Sequence, residues 1–240
     1  MNMLRGDIKK VICLLFSNLD FYFEKNGFKR RKNGLIYVHK IGETVQKIEI
    51  VFFSNPSYYR GVIAHIYPHI QIYFPKINNT AQAFANHLIP QNWINKFTIR
   101  QPIQVYSKSK DFLLKNSQHY EPLENEILSF FEEYTMPLLD NLTRDKDYLT
   151  LYESNDKRIV WDDYQYLYIA SAYVNECKFK EAYQIIENRF NKPGLQEKYK
   201  EIKCVYGPEG LDYIATIDEV DIVLNAIVGF AGLLPTIHAI

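Results

Sequence analysis

Alternation between apolar and polar positions is strictest over residues 65–75. The even-numbered positions are apolar and the odd-numbered ones carry rings or polar atoms: Ile66, Pro68, Ile70, Ile72 and Phe74 against His65, Tyr67, His69, Gln71 and Tyr73. A period of two over this length is typical of a half-buried strand. Because Pro68 has no N–H to donate, we expect this strand to lie at a sheet edge or to carry a bulge.

A helical period precedes this strand. Between Asp7 and Asn26 the apolar residues recur every three or four positions: Ile8, Val11, Ile12, Leu15, Leu19, Tyr22 and Phe23. This spacing predicts an amphipathic helix with one buried face. Asp7 is a suitable N-cap, and Gly27 is placed to adopt the left-handed conformation that ends many helices.

Three further segments read as strands. Residues 35–41 and 45–54 flank a tight turn at Gly42 and Glu43, and residues 97–106 contain β-branched positions. We therefore predict an α+β fold, an antiparallel β-sheet of about four strands covered by the N-terminal helix. Helical patterns dominate from Pro122 onward, so the predicted division is a sheet domain at 1–120 and a helical region at 121–240 packed on it.

Residues 161–190 predict two helices separated by a short turn. The small residues Ala170, Ser171 and Ala172, and the aromatic residue Phe179 followed by Ala182, resemble a single tetratricopeptide-like helix hairpin. A single unit of this kind cannot bury its own face. We expect the hairpin to pack on neighbouring helices, the alternative being a groove that binds a peptide.

The segment 222–240 contains no formal charge. It also contains Asn225, two glycines, a proline and His238, and it is barely long enough to cross a bilayer. We expect a peripheral or buried helix here rather than a membrane-spanning one.

Composition excludes some function classes. The 28 basic and 28 acidic residues cancel, so no global positive field favours dedicated nucleic-acid binding. The three cysteines are scattered and fit neither a disulfide framework nor a zinc site. The N-terminus lacks the apolar core of a secretory leader. Together these features predict a cytoplasmic protein.

Motifs with assigned chemistry are missing from the sequence, which contains no phosphate-binding glycine loop, no Gly-x-Ser-x-Gly and no His-Glu-x-x-His. His65 and His69 could share a metal on a helix. On a strand they are roughly 13 Å apart, which is too far for one ion. We therefore expect no catalytic set, no cofactor and no metal.

Two features could form a binding surface. The first is the run of four cations from Lys29 to Lys32, which is either a clamp for phosphate or an acidic partner, or a solvated turn. The second is the polar sheet face, if Tyr37 and His39 lie beside Tyr67, His69 and Tyr73. The alternative is that later helices cover this face. The candidate binding residues are Arg30, Arg31, Tyr37, His39, Tyr67, His69 and Tyr73.

Residues 21–154 carry a family resemblance. The helix ending at residues 26–30, the hairpin after it, the strand end at 72–75 and the segment Phe130 to Leu139 with Pro137 resemble the bacterial domain-of-unknown-function-4304 family. The resemblance implies an α+β fold and a bacterial intracellular setting. It implies no activity.

These observations favour a non-enzymatic protein-binding module, of the immunity or accessory type, whose partner is another protein such as a toxin. One alternative is an enzyme acting on a nucleotide or phosphorylated small molecule, with the Lys29 to Lys32 run binding phosphate and a histidine as acid or base. Another is a helical scaffold or peptide binder. The oligomeric state is left open.

Overall fold

The computed structural model describes residues 3–32, 34–85, 97–106 and 111–190, with residues 210, 213 and 216. The strands in this part of the chain are β1 (Lys29–Arg30), β2 (Ile36–Ile41), β3 (Thr44–Ser54), β4 (Ala64–Tyr73), β5 (Ile99–Pro102) and β6 (Phe112–Leu114). The helices are α1 (Arg5–Asn18), α2 (Asp20–Lys25), α3 (Pro75–Ala85), α4 (Glu121–Phe130), α5 (Met136–Asp140), α6 (Asp145–Glu153), α7 (Asp163–Asn175) and α8 (Phe179–Phe190).

The predicted α+β fold is confirmed. The sheet is antiparallel in the order β1-β2-β3-β4-β5, with β6 also paired to β4, so the described residues form six strands where about four were expected. Buried isoleucines of β3 and β4 form one face, and α1 packs against it through residues of the same core. That core also includes residues of α4 to α8. The division at residue 120 stays a prediction.

The predicted N-terminal helix is two helices. α1 ends at Asn18 and α2 begins at Asp20, so the helix is interrupted at Leu19. Asp7 is not the N-cap: it lies in the first turn of α1 and accepts a hydrogen bond from Lys10 at 3.0 Å. Gly27 is left-handed with φ of +82°, as expected. A Cβ at Gly27 would lie 2.6 Å from Nε2 of His39, so this position also requires glycine for space.

The expectation that Pro68 marks a sheet edge or a bulge is wrong. β4 pairs with β3 in an unbroken register from Ala64 to Tyr73, and along its other side it pairs with two shorter strands. β6 pairs with residues 64–66 and β5 with residues 69–72. Pro68 lies between these two pairings, where no N–H is needed for either strand. Gln104, in the 3₁₀ turn after β5, donates a hydrogen bond to the Ile66 carbonyl beside this gap.

The helix hairpin predicted at 161–190 corresponds to α7 and α8. Asp162 caps α7 by accepting a hydrogen bond from the backbone N–H of Gln165. α7 packs against α3, and the Thr80 hydroxyl donates to the Asn175 side chain at 2.7 Å. Because α7 is covered by α3 and α6 as well as by α8, its face is not open to a peptide, and a peptide-binding scaffold is not supported.

No helix in the described part of the chain has the length and apolarity needed to span a bilayer. The uncharged segment 222–240, for which a peripheral or buried helix is predicted, lies outside the described residues.

Candidate functional site

The candidate binding residues divide between the two sheet faces. Tyr37 pairs with Ile48, which pairs with Ile70, so Tyr37 lies on the buried face. His39 lies on the same face and packs edge-on against Phe28. Tyr67, His69 and Tyr73 lie on the other face, with Glu49 directly opposite His69. The expected cluster of all five rings is therefore wrong.

Arg30 has a structural role. Its guanidinium donates to Asp20 at 2.9 Å, to the Cys13 carbonyl at 2.7 Å and twice to the Gly34 carbonyl. The Tyr37 hydroxyl donates to the same Asp20 carboxylate at 2.8 Å. Burial and the Asp20 contact raise the pKa of Tyr37 far above the range of an ordinary phenol. Arg30 thus ties α1, α2 and the turn before β2 together.

The cation run does not converge on an anion site. Arg31 and Lys32 are exposed on the turn. A cleft of about 440 Å³ is lined by Lys29 and Arg30, but Glu24 and Gly27 complete it at the carboxyl end of α2. That helix end carries negative partial charge, which opposes phosphate binding. A binding role for Arg31 and for the rings of Tyr67, His69 and Tyr73 stays a prediction.

The polar face of β4 carries a row of interacting rings from His65, Tyr67 and His69. Tyr58 and Tyr59, from the loop before β4, and Asp111, the residue before β6, lie beside His65. We call these six residues the histidine face. The His65 ring is 5.6 Å from the Tyr67 ring, which is 5.4 Å from the His69 ring. The ring of Tyr58 lies 6.0 Å from that of His65 and that of Tyr59 lies 5.7 Å from it. The histidine face therefore combines titratable groups with apolar ring surface.

Hydrogen bonds connect part of this face. The Tyr58 hydroxyl lies 3.2 Å from Nδ1 of His65. Nε2 of His65 lies 3.4 Å from the Asp111 carboxylate, close enough for an ion pair although not aligned as a hydrogen bond. The Tyr59 hydroxyl donates to the other oxygen of Asp111. Sequence reasoning missed Tyr58, Tyr59 and Asp111, because no local pattern places the start of β6 beside β4.

His69 is surrounded differently. Neither of its ring nitrogens has a hydrogen-bond partner among the described residues. Burial lowers its pKa from the ordinary value, Arg100 lowers it further, and Glu49 acts in the opposite direction. His69 is therefore a neutral, partly buried ring under the conditions in which an exposed histidine begins to gain a proton.

This lowered pKa predicts acid sensitivity. The native state binds fewer protons than the unfolded chain below the ordinary value of 6.5, so the free energy of unfolding falls as the pH drops through that value. We expect H69Q to lose less stability than the wild-type chain between about pH 7.5 and about pH 5.5. Urea denaturation at both pH values measures this.

The control is H119Q, which makes the same substitution at an exposed histidine. His39, whose pKa burial also lowers, contributes in the same direction and remains in both variants. Equal losses of stability in H69Q and the wild type would contradict the assignment.

The part of the chain that the structure describes contains no group of three or more acidic, histidine or cysteine side chains suited to a metal ion. Cys13 and Cys177 are free thiols. The expectation that the chain has no catalytic set and no cofactor stays a prediction.

Comparison with known proteins concerns a different part of the chain. Residues 169–240 match the sequence model of the 1-deoxy-D-xylulose 5-phosphate reductoisomerase family. The protein of that name from Clostridium perfringens (strain SM101 / Type A) is 51% identical over 45 residues, which are 18% of this chain and 12% of the relative. That from Francisella tularensis subsp. novicida (strain U112) is 37% identical over 62 residues, 26% of this chain and 16% of the relative.

The aligned part of the chain thus spans less than one fifth of the length of these curated relatives. No solved structure matches the chain. The matched segment begins in α7 and continues into residues that the structure does not describe.

These matches correct two expectations. The assignment to the domain-of-unknown-function-4304 family is wrong, since the family model that matches is that of the reductoisomerase, on a segment which that resemblance did not cover. The non-enzymatic immunity-type module with a toxin partner is also wrong, because the matching proteins are enzymes by name. The alternative of an enzyme acting on a phosphorylated small molecule is closer. Sequence reasoning used the glycines of segment 222–240, Gly229 and Gly232, only as an argument against membrane insertion, and it did not connect this segment with the matched family.

Proposed function

We propose that this chain acts on a phosphorylated small molecule, and that 1-deoxy-D-xylulose 5-phosphate is the first substrate to test. The observation that supports this proposal is the match of residues 169–240 to the reductoisomerase family. The identity of 51% to the Clostridium perfringens relative is consistent with it. A cytoplasmic location belongs to the same proposal and can be tested by cell fractionation.

The matched segment limits how a phosphate could be recognised there. Residues 222–240 contain no lysine or arginine. In many proteins, phosphate oxygens accept hydrogen bonds from neutral donors such as side-chain amides, hydroxyls and backbone N–H groups. In this segment the Asn225 amide and the Thr236 hydroxyl are donors of that kind, and a protonated His238 would add a positive charge. Recognition in this segment would therefore depend on hydrogen bonds more than on fixed charge.

A reductoisomerase reaction, by its name, includes a reduction, and repeated turnover cannot take its electrons from the three cysteines of the chain, because thiols oxidised to a disulfide supply electrons only once. The proposed activity consequently requires an external electron donor. This requirement argues against the expectation that the chain needs no cofactor.

The test is calorimetric titration of the full chain with 1-deoxy-D-xylulose 5-phosphate, and with the unphosphorylated sugar as the ligand control. We expect saturable binding of the phosphate ester and a loss of at least about tenfold for the sugar, which corresponds to about 1.4 kcal/mol. N225A should weaken binding of the ester, because it removes a neutral donor from the matched segment.

The matched control is N188A, which removes an exposed amide from α8, also within residues 169–240. This variant should bind as the wild type does. Absence of binding, or equal binding of ester and sugar, would contradict the proposal.

A further inference from the structure

The histidine face contains a buried imidazole held between an exposed phenol and a carboxylate. The side chain of His65 is only 11% exposed, whereas that of Asp111 is 40% exposed. Tyr58 is 61% exposed. The three groups thus form a path from the surface through a buried ring and back to the surface. None of them belongs to the segment that matches the reductoisomerase family.

The tautomer of His65 follows from its neighbours. The Asp111 carboxylate lies 3.4 Å from Nε2, and its negative charge favours the tautomer of the neutral ring that carries the proton on Nε2. Nδ1 is then an acceptor, and the hydroxyl of Tyr58 donates to it at 3.2 Å. In this arrangement the imidazole can take the phenolic proton, and the carboxylate stabilises the imidazolium that forms.

The surroundings hold the ring in place. Tyr59 and Tyr67 contact His65 edge-on, and Phe53 adds a third aromatic contact at 6.2 Å. Tyr59 also donates to Asp111, which fixes the carboxylate that faces Nε2. When a buried base with fixed neighbours accepts a proton, the surrounding groups need little rearrangement, so the free-energy cost of reorganisation is small.

We propose that Asp111, His65 and Tyr58 form a proton relay that makes the Tyr58 hydroxyl a nucleophile toward activated acyl esters. In the reaction, the phenolic oxygen attacks the ester carbonyl and its proton passes to Nδ1 of His65. The bond from the acyl carbon to the alkoxy or aryloxy group breaks, and the leaving group departs with the electron pair. The product is an acyl ester on Tyr58, and His65 then releases the proton to water.

The roles differ among the three residues. Tyr58 contacts the substrate and is the catalytic residue, with His65 as its base. Asp111 acts through His65 and is a positioning residue. This inference extends beyond the proposed function and shares no residue with it, so either can fail without the other.

The test uses p-nitrophenyl acetate with the full chain, following release of p-nitrophenolate and locating the acetyl group by peptide mass spectrometry. We expect the acetyl group on Tyr58. Y58F should abolish labelling at that position, and H65Q should slow it at least about tenfold. Because Tyr58 is mostly exposed, Y58F retains the fold, and its thermal midpoint checks this.

Three further variants separate a relay from a merely structural network. D111N should slow acetylation of Tyr58 roughly threefold to tenfold while D111E restores it. Y134F, which alters an exposed residue outside the histidine face, should leave the rate of Tyr58 acetylation unchanged.

The dependence on pH is a separate readout. The groups that face His65 and can titrate are Tyr58, Tyr59, Tyr67 and Asp111. The pH–rate profile of the wild type should differ from that of H65Q, because proton transfer to His65 lets the neutral phenol react, whereas in H65Q only the ionised phenol can react. Labelling of Tyr58 no faster than that of exposed Tyr134, or a rate that follows ionisation of a free phenol, would overturn the proposal.

Discussion

Replacing Phe23 with alanine is expected to lower the free energy of unfolding by about 3–5 kcal/mol, the usual cost of removing a buried aromatic ring. Phe23 is fully buried. Its ring lies 4.3 Å from the Tyr37 ring and 5.1 Å from the Phe131 ring, so it joins α2 to the sheet and to the π-helical segment Phe131–Thr135 that follows α4. The cavity left by F23A would lie between three elements that cannot all collapse into it.

Guanidinium denaturation monitored by circular dichroism measures this change. The matched control is F21A, since Phe21 is two residues away in the same helix and 80% exposed. F21A should change stability by no more than about 0.5 kcal/mol. Similar losses for F21A and F23A would mean that α2 does not present Phe23 to the core.

The second large effect is expected from R30A, which should destabilise the chain by about 2–4 kcal/mol, because the Arg30–Asp20 pair is partly buried and the truncation also removes charge-assisted hydrogen bonds to two backbone carbonyls. The Arg30 side chain is 17% exposed. Its removal leaves the Asp20 carboxylate facing Tyr37 alone and deprives the carbonyls of Cys13 and Gly34 of their donor. Lysine cannot replace these four hydrogen bonds, so R30K should recover only part of the loss.

The control for this prediction is R31A, which removes the neighbouring exposed cation and should change stability by no more than about 0.5 kcal/mol. Denaturation in low and high salt adds a second readout. Salt screens exposed pairs far more than buried ones, so the difference between R30A and the wild type should persist at about 1 M salt. A difference that disappears in salt would show that Arg30 belongs to a solvated turn.

The elements with one buried face could be predicted from the sequence. The apolar residues that recur every three or four positions from Ile8 to Phe23 face the core, and so do the alternate residues around Ile70. Each of these patterns lies within one local segment of the sequence. The position of Tyr37 on the buried face of the sheet could also have been predicted. A two-residue turn at Gly42 and Glu43 pairs Ile41 with Thr44, and this register places Tyr37 opposite Ile48, which is apolar.

Other features depend on contacts between distant residues. β6 has three residues, too few for a periodic signal, and it lies beside β4 only through the folded chain. Asp111 therefore could not be placed near His65. Arg30 lies in a run of cations, and nothing local distinguishes it from Arg31. Its carboxylate partner, Asp20, is in a helix that the sequence predicted to be continuous with α1.

The placement of Pro68 has a consequence for the chain as it emerges from the ribosome. β2, β3 and β4 are joined by short connections and can form a meander as soon as residue 73 is available. The side of β4 that does not pair with β3 remains unpaired until β5 and β6 are synthesised, and these strands lie 26 or more residues further along the chain. During that interval an unpaired strand rich in isoleucine is exposed, and such strands template aggregation. A proline at its centre interrupts any continuous ladder with a second nascent chain, so Pro68 acts as a gatekeeper against misassembly before the strands that cover this side are synthesised.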